Sequence, residues 1–322
     1  MTGATAQRAP TRTAGSSSPV SLATIRKGTR HAPDRILLVG TEGIGKSTFA
    51  ADAPAPIFIC AEDGINHLDV ASFPEARTLA EVMGALDVLR TEAHEYKTLV
   101  VDTVDWLEAL IWSDLCQRSG WDSIESPGYG KGYAVALDEW RKLIRALDTL
   151  RNEKGMEIIL VAHAAIKPFS NPAGTDYSRY ECKLHRGAAA LLREWTDTNL
   201  FAVHEDFVKT KTTKDATGKG ISTGRRVLKT QRCAAWDAKN RAGLPPELPL
   251  SYADYAAARE AGQTASPATL EAEALTLLDE LGGTDERKAA GAARIKTAGG
   301  NATALAKLVD LLRTQVSQKE GN

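Results

Sequence analysis

Apolar residues fall along this chain in two alternating patterns. Short runs at Ile36–Val39, Ile57–Ala61, Lys97–Asp102, Glu157–Ala162 and Asn199–His204 have the length of buried strands. Between them apolar positions recur at helical spacing: Leu79, Val82, Met83, Leu86 and Leu89, then the stretches Trp106–Arg118, Val135–Leu150 and Gly187–Trp195. Strands alternating with helices predict an α/β fold on a mainly parallel, doubly wound sheet. Further on, Phe207–Thr213 and Arg225–Gln231 read as two strands about a turn at Asp215–Gly224, a β-hairpin late in the core. Leu244–Leu250 is proline-stiffened and extended, Ser251–Glu260 a short helix, and Gly262–Pro267 a linker. Three helical stretches follow. Ser266 and Pro267 open the first, with Leu270, Ala274, Leu277, Leu278 and Leu281 on one face. Thr284 and Asn301 cap the other two. Residues 1–20 hold almost nothing apolar and read as a disordered tail. The expected organisation is a tail at 1–20, a core at 21–260 and a small C-terminal helical appendage at 261–322.

Bulk composition narrows the class only by exclusion. The chain has 322 residues, 43% of them apolar and 25% charged, with a net charge of −1. Any basic surface must therefore be local. Cys60, Cys116, Cys182 and Cys233 lie far apart with no C-x-x-C pair, which suits reduced thiols better than a disulfide framework or a zinc site. No apolar run reaches the ~18 residues of a membrane span, and no signal-peptide core opens the chain. A cytoplasmic protein without a membrane partner is expected.

The chemistry concentrates after the first strand. Gly40-Thr41-Glu42-Gly43-Ile44-Gly45-Lys46-Ser47 satisfies the phosphate-loop pattern G-x-x-x-x-G-K-[ST] at every position, between a strand and a helix. Glycines let the backbone curl so that its N–H groups face a phosphate, and the helix N-terminus adds partial positive charge. In such a loop Lys46 reaches the β- and γ-phosphates of ATP, Ser47 ligates Mg²⁺, and Thr48 is placed near the α-phosphate. Asp102 closes an apolar strand in the manner of a Walker B segment and is expected to share the Mg²⁺ with Ser47. Glu62 and Asp63 stand at the end of the second strand and His163 at the end of the fourth. Carboxyl ends of strands are where ligands bind in open α/β sheets.

Two segments read as loops. Trp121–Gly132 carries Tyr129 beside Lys131. Residues 164–186 interleave aromatics (Phe169, Tyr177, Tyr180) with cations (Lys167, Arg179, Lys183, Arg186). Both combinations suit single-stranded nucleic acid, and both also suit plain connections. From Glu205 to Arg241 ten Lys/Arg stand against four Asp/Glu, about +6 in a nearly neutral chain.

The order phosphate loop, then Phe58–Asp63, then Leu99–Thr103 resembles the core of RecA-like recombinases. The short segment before the second strand, together with Trp236-Asp237-Ala238-Lys239-Asn240-Arg241-Ala242-Gly243-Leu244-Pro245, is similar to short RecA-like ATP-binding proteins of bacteriophages, some of them single-strand annealing recombinases. The resemblance covers about residues 33–250. It implies a RecA-like P-loop NTPase core and a DNA-stimulated, Mg²⁺-dependent ATPase acting in recombination. It makes Glu62 the residue that polarises the attacking water, with Asp63 as fallback, and His163 a γ-phosphate sensor. Its implied partners are single-stranded DNA, further copies of the chain in a ring or filament, and a single-strand-binding protein. In such assemblies a basic residue reaches the neighbour's γ-phosphate, and Lys229, Arg232, Lys239 and Arg241 are the candidates. Three other readings share the loop: a small-molecule kinase, a non-enzymatic ATP switch such as a helicase-loading factor, and a replicative-helicase-type motor. A glutamate after the second strand favours hydrolysis over transfer to a small molecule. Turnover with and without single-stranded DNA separates the ATPase from the switch.

Overall fold

The first buried run forms β1 (Arg35–Gly40), and the short helix α1 (Lys46–Ala51) follows the glycine loop. Next come β2 (Pro56–Cys60), a two-residue β3 (Ala71–Ser72), α2 (Leu79–Thr91), β4 (Thr98–Asp102) and α3 (Val104–Ser119). The chain continues through α4 (Lys131–Glu153), β5 (Glu157–Phe169), β6 (Tyr177–Cys182), α5 (Arg186–Trp195), β7 (Thr198–Lys209) and β8 (Lys219–Lys229). It ends with β9 (Glu247–Pro249), α6 (Tyr252–Thr264), α7 (Pro267–Leu281), α8 (Asp285–Ala298) and α9 (Ala302–Glu320). The structure, a computed structural model, describes residues 24–25, 32–209, 219–264, 267–299 and 301–320. The expected tail at 1–20, the Ser266 cap and residues 215–218 of the expected turn lie outside the described residues, whereas 219–224, read as the rest of that turn, already belong to strand β8. Contacts divide the chain between His31 and Ala32, and elements β1 to α9 all belong to the second unit.

One mixed sheet has the strand order β3-β2-β4-β5-β1-β7-β8-β9, with β6 paired to β5. Strands β3, β2, β4, β5, β1 and β7 pair in parallel, and β8 and β9 add antiparallel. This is the mixed α/β, mainly parallel architecture expected from the alternation. The inner strands are apolar on both faces because helices cover both. Helices α2 to α5 pack on one side with Trp140, Leu107 and Leu143, and α1 and α6 on the other with Phe49, Tyr252 and Tyr255. Helices α7 to α9 bury a cluster of their own around Leu270, Ala274, Ile295, Leu305 and Val309.

Several elements differ from the sequence expectation, among them α6, which runs on to Thr264 through the start of the expected linker, and β8, which begins at Lys219 rather than Arg225. The segment 164–186, read as a loop, is largely a β-hairpin: β5 runs straight on to Phe169 and pairs antiparallel with β6. The two strands expected at 199–204 and 207–213 are one strand, β7, whose register with β8 shifts between His204 and Asp206. A bulge there breaks the alternation that marks a strand in sequence. Helix α4 starts at Lys131 rather than Val135. Gly132 sits inside it because a Cβ there would lie 1.8 Å from the Ile124 carbonyl oxygen.

A buried polar cluster ties α6 to the amino edge of the sheet. Tyr252 donates to Glu157 (2.8 Å), Tyr255 donates to Asp34 (2.8 Å), and Arg259 lies 2.6 Å from Asp34 and 3.4 Å from Glu157. Burial pushes the Glu157 carboxyl up to about 7, outweighing Tyr252 and Arg259, from an ordinary 4.5. The folded state therefore holds this proton more tightly than the unfolded chain. The resulting stabilisation is full below the unfolded value near 4.5 and is lost as pH rises through about 7. Glu157→Gln keeps an acceptor for Tyr252 without the charge. It is expected to flatten the fall in urea midpoint between about pH 5 and 8.

Candidate functional site

The phosphate loop is shaped by its neighbours as much as by its own residues. β7 runs in register beside β1, so a Cβ on Gly40 would lie 2.8 Å from the Ala202 oxygen. Gly45 has φ 106, a left-handed conformation that other residues rarely adopt, and a Cβ there would meet the Arg226 guanidinium at 2.7 Å. Ile44 between them is fully buried and pins the loop to the core. Lys46 is only 6% exposed and turns back over the loop, donating to Thr41 O (2.8 Å) and Gly40 O (3.3 Å). Burial lowers its pKa against the opposing pull of Asp102, Asp105, Glu62 and Glu42. An amine so desolvated is poised to gain from a phosphate anion.

The acids converge because parallel strands end at one edge. Asp102 pairs with Cys60 at the end of β2 and with Val161 on β5. Ser47 Oγ donates to Asp102 Oδ2 at 2.6 Å. Asp102 is buried, and desolvation raises its pKa despite Ser47 and Lys46. Its carboxylate would therefore gain from a nearby cation. Glu62, beyond β2, accepts from Thr103 Oγ1 at 2.8 Å, and the Asp102–Thr103 peptide is cis. Asp63, the fallback acid, is exposed and accepts from Asn66. His163 lies opposite Gly40 in the β1–β5 register. Its N–H and its Nδ1 both meet Asp105, at 3.0 and 2.9 Å. Gly40 to Ser47, Glu62, Asp102 and His163 thus share one edge of the sheet, with Thr48 exposed in the first turn of α1. Among the described residues no group of three or more His, Cys, Asp or Glu could hold a metal unaided.

The four basic candidates lie elsewhere. Lys229 pairs with Glu247 and sits 5.6 Å from the Trp236 ring centre. Lys239 hydrogen-bonds Arg193 O (2.7 Å), Glu194 O (3.1 Å) and Thr196 O, closing the C-terminus of α5. Arg232 and Arg241 are exposed, and among the described residues they meet Asp237 (3.4 Å) and Asp197 (3.9 Å). The segment around Trp236 works as a clamp. Trp236 stacks on Phe201, Asp237 gathers Arg179 and Arg193, and Asn240 closes a turn onto Ala242 and Leu244. Lys239→Ala should lower unfolding free energy by about 1–3 kcal/mol in urea titrations, because it leaves helix-end carbonyls unpaired.

Three residues near the site escaped the sequence reading. Thr103 and Asp105 follow Asp102 directly, and polar residues just past a strand-ending carboxylate were a usable signal. Arg226 on β8 donates to Ile44 O at 3.2 Å. Only the pairing of β8 beside β7 brings it there, so no local pattern could reveal it.

A glycine-rich loop between strand and helix, its lysine, and a serine bonded to a strand-ending aspartate define a P-loop nucleotide-binding protein. A family model of an AAA domain matches residues 32–242, and the chain belongs to this family of AAA-type P-loop ATPases. Comparison with curated proteins gives no match. Among the described residues no helix is long and apolar enough to cross a membrane.

Proposed function

We propose that this protein binds ATP with Mg²⁺, hydrolyses it at a site completed by a second copy of the chain, and couples the cycle to single-stranded DNA in a RecA-like manner. The observation that carries the reading is the 2.6 Å contact between Ser47 and Asp102 beside the buried Lys46. Bound Mg²⁺ would neutralise charge on the phosphates, held by Ser47 and Asp102. Lys46 and the loop amides hold the β- and γ-phosphates, and Thr48 meets the α-phosphate. Glu62, steadied by Thr103, orients water toward the γ-phosphorus, and His163 reads the γ-phosphate. Phosphoryl transfer of this kind needs mainly positioning and charge stabilisation.

Arg232 and Arg241 are the better trans-acting candidates, because Lys229 and Lys239 are committed within their own subunit. For DNA the support is local. Tyr129 is fully exposed, at φ 51 between two left-handed glycines, and Lys131 is exposed beside it. A backbone held in that region presents the ring to a partner rather than to the core. In the β5–β6 hairpin, by contrast, Lys167 bonds Cys182 O and Leu184 O, and Arg179 is buried against Asp237. Lys183 and Arg186 remain exposed there. The test is binding of single- and double-stranded oligonucleotides across a salt series, with and without ATP. A steep salt slope for single strands that changes with nucleotide supports the coupling, and identical binding in both nucleotide states refutes it. A partnership with a single-strand-binding protein belongs to the same proposal and is testable by co-sedimentation on coated DNA.

A further inference from the structure

We propose that Asp105 is a positioning residue for the γ-phosphate response: it fixes His163 with Nε2 as the ring nitrogen left for the nucleotide, and it carries the state of that contact into α3. The inference rests on the ATPase reading above and adds a residue that reading does not use. The geometry is specific. Both carboxylate oxygens of Asp105 are occupied by one residue, Oδ1 by the His163 backbone N–H and Oδ2 by Nδ1. The Asp105 side chain is 5% exposed and that of His163 14%. Asp105 thus holds His163 both by its backbone and by its ring, which restricts the rotamers of the imidazole.

The electrostatics agree. Burial works to raise the Asp105 carboxyl, but the hydrogen bonds from His163 outweigh it and hold the carboxyl below its ordinary value. An ionised Asp105 can only accept, so Nδ1 carries a proton. Nε2 is then the atom able to meet a phosphate oxygen or the water beside it. Register puts His163 opposite Gly40, the first residue of the phosphate loop, and Lys46 feels Asp105 electrostatically as well as Asp102.

The downstream link is one turn along the same helix. Glu108 is buried and accepts from the His185 N–H at 2.8 Å, at the start of α5. The His185 ring stacks on Tyr133 of α4, with centroids 4.3 Å apart and planes at 5°. Lys167, four residues beyond His163 on β5, donates to the carbonyls of Cys182 and Leu184, which lead into His185. Two acids on one face of α3 therefore grip two points of the chain, the middle of β5 at the nucleotide edge, where the sequence suggested the strand would end, and the start of α5. A shift of His163 toward a γ-phosphate is resisted or transmitted through α3.

The experiment compares affinities of the full-length chain for ADP and for adenosine 5′-(β,γ-imido)triphosphate. The proteins are the wild type, Asp105→Asn, His163→Ala, the double variant and Lys46→Ala, with thermal melts as a check on folding. Wild type is expected to prefer the triphosphate by about ten-fold or more. Asp105→Asn and His163→Ala should each reduce that preference to within about two-fold while leaving ADP affinity unchanged, and the double variant should lose no more. A purely structural role would weaken both nucleotides alike. The proposal is overturned by a wild type without preference, by Asp105→Asn that keeps it, by equal loss for both nucleotides, or by multiplicative losses in the double variant. Should Asp105→Asn fail to fold, His163→Ala decides, and retention of the preference there overturns the proposal. Lys46→Ala reports on the other question: undiminished binding of both nucleotides sinks the ATPase reading itself, whatever Asp105 does.

Discussion

Lys46→Ala is expected to reduce ATP turnover by at least about a hundred-fold and to weaken nucleotide binding with it. The amine is 6% exposed and stripped of most of its water, so its charge is already costly where it stands. Its present partners are two carbonyl oxygens of its own loop, at 2.8 and 3.3 Å. Exchanging them for anionic phosphate oxygens returns far more than the lost dipoles, and alanine forgoes all of that gain. The variant should fold, because Ile44 and Phe49 anchor the loop and helix independently of the amine. Steady-state hydrolysis and fluorescent-nucleotide titration provide the check, and a variant that binds and turns over normally would remove the basis for the assigned site.

Glu62→Gln is expected to behave in the opposite way on binding. Turnover should fall by about a hundred- to a thousand-fold, while ATP affinity stays within a few-fold of wild type. The carboxylate sits beyond β2, held by Thr103 Oγ1 at 2.8 Å, and glutamine keeps that acceptor. What would be lost, on the proposed mechanism, is the negative charge that orients water toward the γ-phosphorus. A rapid-quench single turnover, with binding measured in parallel, separates the two effects. An equal loss in binding would make Glu62 a ligand-holding group instead. The pair of variants is also diagnostic as a pair, since one removes the grip on phosphate and the other leaves a loaded, stalled site.

Much of the nucleotide edge was legible in the sequence because its determinants are local. A phosphate loop is a run of eight residues, and a strand-ending carboxylate needs only an apolar run before it. Parallel pairing then assembles them without further information. The rest depends on contacts between distant segments. Lys239 stood among the candidates to reach a neighbour's γ-phosphate, yet it closes a helix end more than forty residues earlier in the chain. Lys167 and Arg179 looked like nucleic-acid contacts and are instead held by carbonyls and by Asp237. The hairpin β5–β6 was hidden by Pro168, Pro172 and Gly174, residues that signal a break but here sit at or near its tip. Asp105 gave a weak signal, because a carboxylate in a helix's first turn is common for its own sake.

One consequence of the strand order concerns how such a chain can change. Because β5 lies between β1 and β4, the strands bearing the phosphate loop and Asp102 stand about 10 Å apart, two strand spacings. On that middle strand His163 stands opposite Gly40 and Val161 opposite Asp102, and Ser47 bridges to Asp102 directly. On the proposed reading the groups for phosphate and metal sit on the flanking strands and the responding histidine on the strand between them, so the response can diverge through changes at His163 and Asp105 while the loop and Asp102 stay as they are.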